Sequence, residues 1–71
     1  MAGGQCAPGQ VDVNSASLED LQRTIHIGAT RAEAVIALRP FASVSDLARI
    51  SGIGNGARLA QIKAENLACV N

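Results

Sequence analysis

At 71 residues the chain has room for one small core, and with six basic against six acidic side chains it carries no formal net charge. That balance excludes the broad positive field of a strong nucleic-acid or membrane-surface binder, so any anion contact must be local. Apolar residues are 48% of the sequence, drawn from Ala, Ile, Leu and Val with Phe41 the single aromatic, which suits short, closely packed helices.

The opening MAGGQCAPGQ has neither a basic leader nor an apolar stretch, and no run in the chain approaches membrane-spanning length. Residues 1–10 read as a linker or a leftover of cloning that carries Cys6, ahead of one domain over residues 11–71. Cys6 and Cys69 stand just outside the patterned region, at its two ends. Joined, they would close a long loop and stabilise so small a core by roughly 4 kcal/mol, and terminal pairs of this kind suit small exported domains. The alternative is two unrelated thiols, buried or free. No C-x-x-C or other metal-ligand spacing is present, and neither a metal nor a cofactor is expected.

Ser17 with Asp20 has the spacing of a helix N-cap and its N3 acid, and Leu18, Leu21 and Ile25 follow as one apolar stripe. The first short helix stops at HIGA. A second helix carries Ala32, Val35 and Ile36 on its apolar face, and Pro40 ends it. PFAS bridges to a second cap, Ser43 with Asp46, and a second stripe, Val44, Leu47 and Ile50; Phe41 is expected as a core plug between the halves. SGIGN stops that helix, and the last one carries Leu59, Ile62 and Leu67. Arg31, Arg39, Arg58 and Lys63 are left for solvent. No stretch alternates long enough to argue for a strand.

The chain repeats itself. A shift of 26 positions lays Ser17 on Ser43, Asp20 on Asp46, Leu21 on Leu47, Arg23 on Arg49, Ile27 on Ile53, Gly28 on Gly54, Ala34 on Ala60 and Ile36 on Ile62. Two units, residues 14–39 and 40–67, each read as helix, tight turn, helix. Within the second turn, Gly52 is expected to take a positive φ, Ile53 to point into the core, and Gly54 to open the next helix without a Cβ over its first amides. A helix start of that kind has unpaired N–H groups and the positive end of the dipole, which suits a phosphate. Each turn is followed within four residues by an arginine, Arg31 after Gly28 and Arg58 after Gly54.

The segments VDVNSASLEDL, RPFASVSDL and ISGIGNGARLAQI resemble the tandem helix-hairpin-helix domain of the competence DNA receptor ComEA and its relatives, over Val11–Leu67. The resemblance implies an all-α fold, two helix-hairpin-helix units in a small SAM-domain-like bundle. It also implies binding to the backbone of double-stranded DNA without regard to sequence. Ile27, Gly28, Ala29 and Thr30 with Arg31 would form the first phosphate-binding turn, and Gly52, Ile53, Gly54, Asn55 and Gly56 with Arg58 the second. Family members are displayed outside the cytoplasmic membrane, and similar domains end exported nuclease-like or metallohydrolase-like proteins. The chain departs from the pattern in two places. His26 stands where the first hairpin usually has glycine, with Thr24 and Ile25 in place of Leu-Pro before it, and the net charge is zero where the family is basic. A histidine tolerates positive φ better than a β-branched residue, so the first turn can survive; His26 would then touch phosphate or lie exposed. The reading that follows is a weak, non-specific DNA-binding module, not itself an enzyme, with further domains of a parent protein as partners. Its rival is a protein-interaction or spacer module that kept the fold and lost the DNA site.

Overall fold

The structure is a computed structural model, and it describes residues 6–70. In chain order the elements are a two-residue strand β1 (Val11–Asp12), one-turn helix α1 (Leu18–Leu21), α2 (Ala29–Leu38), a 3-10 helix (Val44–Arg49), α3 (Ala57–Glu65) and a second two-residue strand β2 (Ala68–Cys69). The architecture is helical, with two helix-turn-helix units closed by a small parallel ladder that pairs Val11 with Ala68 and Asp12 with Cys69.

Ser17 caps α1 as its spacing predicts: its Oγ accepts from the Asp20 amide at 3.1 Å, and Glu19 and Asp20 occupy the first turn. The matching start of the second unit uses a different device. Ser43 makes no side-chain cap bond, and Asp46 instead reaches back, its carboxylate accepting from the Ala42 amide at 2.8 Å. α2 stops at Arg39, whose ψ of 149° is the extended geometry that a following proline imposes. Asn66 ends α3 in the left-handed region at φ 59°, a conformation asparagine tolerates, and its amide returns to the Ile62 and Lys63 carbonyls.

The core runs through both units. Val13, Leu21, Ala32, Val35, Leu47 and Ile62 are fully excluded from solvent, with Ile27, Phe41, Ile50, Ile53 and Leu59 close behind. Phe41 plugs the junction as expected. The Asn14 side chain accepts from the Phe41 amide and donates to its carbonyl, and the Arg49 guanidinium lies 5.0 Å from the ring centroid.

Several expectations are corrected. Ile25 and Ile36, assigned to the apolar stripes, are each 41% exposed, and Thr24 is the buried residue beside Leu21. α1 ends at Leu21, so the helical spacing that would bury Ile25 does not continue to it. Arg39 is not left to solvent: its guanidinium donates to the Val13 and Ala16 carbonyls and ties α2 to the segment after β1. The ladder was invisible to a pattern search because two residues have no period. Cys6 and Cys69 form a disulfide, with Cα atoms 5.5 Å apart. Residues 1–5 of the stretch read as a linker lie outside the described residues. From Cys6 to Gln10 the chain is joined to the fold by that bond, by Gln10 Nε2, which donates to the Asn66 carbonyl at 2.8 Å, and by Arg23 Nη2, which donates to the Gly9 carbonyl at 3.3 Å.

Candidate functional site

Each unit turns through a residue of positive φ, His26 at 67° in the first and Gly52 at 92° in the second. The histidine therefore does what glycine does in the other copy. One residue later the two turns close alike, the Ile27 amide donating to the Thr24 carbonyl and the Ile53 amide to the Ile50 carbonyl, both at about 3 Å. Ile27 and Ile53 then point into the core.

Beyond the turn the copies differ by one residue. The buried positions of α2, Ala32 and Val35, lie five and eight residues after Ile27, whereas Leu59 and Ile62 of α3 lie six and nine after Ile53. The extra residue is accommodated by Gly54, whose φ is 64°, and the helix start moves further than the buried positions do, the N-cap falling three residues after Ile53 against one after Ile27. Gly56, not Gly54, is the N-cap of α3, while Gly28 is the N-cap of α2 at φ −94°. The matching of Ile36 with Ile62 fails for the same reason, since the burial partner of Ile62 is Val35.

Both helix starts are bare. Among the described residues, the amides of Gly28, Ala29, Thr30 and Arg31 have no acceptor within the protein, nor do those of Gly54, Asn55, Gly56, Ala57 and Arg58. Neither N-cap supplies a side-chain oxygen, and neither first turn contains an acid. α1, with its serine cap and two acids, has all the compensation that α2 and α3 lack. Gly28, Ala29, Thr30 and Arg31 line a shallow surface concavity of about 340 Å³. A helix start with no cap, no acid and open space offers an anion the partial positive charge of the dipole and several N–H donors at once.

The two arginines are more engaged than their spacing suggested. Arg31 Nη1 donates to the His26 carbonyl at 2.9 Å, and Arg58 Nη1 donates to the Gly52 carbonyl at 2.8 Å. Each thus holds the carbonyl of its own positive-φ residue. Arg58 remains exposed, whereas Arg31 is half-buried. His26 is half-buried, its Nε2 paired with Gln61 Oε1 on α3, and the Glu65 carboxylate accepts from the Ile25 amide at 3.0 Å. Gln61 and Glu65 are one turn apart on α3, and nothing in their spacing pairs them with the first hairpin before the fold is known. Among the described residues, no group of three or more His, Cys, Asp or Glu side chains could hold a metal, and no helix is long and apolar enough to cross a membrane.

A profile described as the helix-hairpin-helix motif matches residues 7–65. The chain is 48% identical over 62 residues to a protein named deoxyribonuclease from Thioalkalivibrio sp. (strain K90mix), a match that takes in 87% of this chain and 17% of that protein. It is 42% identical over 48 residues to ComE operon protein 1 of Bacillus subtilis (strain 168), covering 62% of this chain and 23% of the relative. The chain therefore spans less than a quarter of the length of either relative. No solved structure matches it.

Proposed function

The chain belongs to the helix-hairpin-helix family and is similar to its ComEA-like members, and from that premise we propose that it is a DNA-binding module rather than an enzyme in itself. It holds phosphates of a duplex at the N-terminal amides of α2 and α3, with Arg31 and Arg58 beside them. The observation that carries the reading is the contrast among the helix starts: α1 is capped and acidic, while α2 and α3 have no cap side chain and no acid. Amides aimed at phosphate carry no base information, so the binding is indifferent to sequence. With only Arg31 and Arg58 beside the amides, few counterions are displaced and the affinity is low.

The relatives support a setting as well as a ligand. One is named a deoxyribonuclease and the other a competence-operon protein, and this chain matches a small part of each. The module serves a larger exported protein that takes up or processes DNA, and supplies its hold on the substrate. The Cys6–Cys69 disulfide supports a location outside the cytoplasmic membrane, where such bonds persist.

Titration with two unrelated duplexes at low and moderate salt tests the proposal. Both duplexes should bind alike, the amide signals of residues 28–30 and 54–56 should move, and Arg58→Ala should lower the salt slope by roughly one. Absence of salt-dependent binding in the parent chain would leave the protein-interaction or spacer reading as the better one.

A further inference from the structure

Gly52 is held by its backbone geometry and has a close neighbour where a side chain would be. Its φ of 92° disfavours a side chain, and a Cβ built there would lie 2.5 Å from Arg31 Nη2 and 2.9 Å from Arg31 Cζ. The arginine of the first hairpin therefore lies against the backbone of the second. Its other terminal nitrogen is held on the His26 carbonyl. Gly52 in turn gives its own carbonyl to Arg58. One unbroken chain of contacts thus runs from His26 through Arg31 and Gly52 to Arg58, linking the positive-φ residues of the two turns. The His26 pair with Gln61 and the Ile25 amide on Glu65 add two further ties from the first turn to α3.

We propose that Arg31 is a positioning residue which couples the two hairpins, so that the amide geometry of each depends on the other. The proposal rests on the DNA-backbone reading only for its functional consequence. A guanidinium is suited to the task because it is flat and forked: Nη1 holds a carbonyl while the Nε–Nη2 edge fills the space a side chain at residue 52 would need. A lysine would keep the charge and lose both the fork and the plane. Coupled hairpins present their two amide sets at a fixed separation, so a duplex that meets one finds the other already oriented, and the cost of ordering them on binding is reduced.

Gly54 provides the control. It also has positive φ, so alanine there brings backbone strain, yet a Cβ would meet nothing within 4 Å. In the DNA-free full chain, Gly52→Ala should shift the amide signals of His26, Ile27 and Gly28, and Arg31→Ala those of Gly52 and Ile53. Gly54→Ala should leave the first hairpin's signals in place. For duplex binding, Gly52→Ala and Arg31→Ala should each weaken affinity roughly three- to tenfold, and the double variant should be no worse than about the stronger single one. Arg31→Lys should restore the salt slope but not the Gly52 and Ile53 signals. Reciprocal shifts support the coupling even if no duplex binds, in which case the DNA reading alone fails. Shifts confined to the mutated hairpin, or additive losses of affinity, overturn the coupling even where DNA binding is intact. Should Gly52→Ala not fold, Arg31→Ala and Arg31→Lys decide the matter through the second hairpin's signals.

Discussion

Thr24 is 2% exposed, and its Oγ1 has no hydrogen-bond partner among the described residues. A buried hydroxyl without a partner loses its hydration and gains nothing in return, a cost of about 1–3 kcal/mol. The repeat lays Thr24 on Ile50, which is 1% exposed, so a polar side chain fills in one copy the slot an aliphatic one fills in the other. Thr24→Val keeps the branched shape and removes the hydroxyl. It should raise stability by about 1 kcal/mol, seen as a rise of several degrees in Tm by thermal unfolding. A fall in Tm would mean that the hydroxyl is satisfied by water. This burial was legible in the sequence, but in the repeat rather than in the stripe: the same shift lays Ile25 on Ser51, which is exposed. Arg39 was not legible at all. Its role depends on two carbonyls from a segment more than twenty residues away, and no local pattern announces such a contact.

The N-termini of α2 and α3 trade stability for access. At Gly28 the backbone is extended, the space for a Cβ is open, and the neighbouring amides lack acceptors. Gly28→Asp would therefore cap α2 from the position that an N-cap side chain normally occupies, and would set a negative charge on the positive end of the dipole. The variant should be more stable by about 0.5–1 kcal/mol and bind duplex several-fold more weakly, because its carboxylate occupies the amides offered to phosphate. Thermal unfolding and a DNA titration on the same sample check both halves. A stability gain with unchanged affinity would show that this turn is only a turn. At this scale the order of helices, the positions of the two turns and the histidine's positive φ were all readable from caps, glycines and the repeat. The extra residue in the second hairpin was not. Alanine and isoleucine are so frequent that Ala34 on Ala60 and Ile36 on Ile62 matched as letters, while burial follows Val35 on Ile62.

The molecule as a whole is closed by a ladder only two residues long and by the covalent bond beside it. A core built from one-turn and three-turn helices supplies only a few kcal/mol of net stability at this size. Opening the Cys6–Cys69 bond, which spans 63 residues of sequence, should remove roughly 4 kcal/mol and leave the reduced chain largely unfolded at moderate temperature. Urea denaturation with and without reductant measures the difference. A reduced protein as stable as the oxidised one would assign the closure to β1, β2 and the Gln10 bond instead. The cysteines were visible from the start, as were their positions outside the repeat. Their pairing required the chain ends to meet, and that follows from two stacked units returning the polypeptide to its origin.

That closure also decides how the module answers to a pull. A load applied at residue 6 and residue 69 passes through a covalent link between Cα atoms 5.5 Å apart, so the helices and both turns lie off the line of force. Tension drawn through the oxidised domain neither unravels it nor alters the spacing of the hairpins. Only after reduction would the intervening chain pay out, releasing roughly 200 Å of length at about 3.5 Å per residue. Oxidised, the domain would pass a pull between these two residues without lengthening.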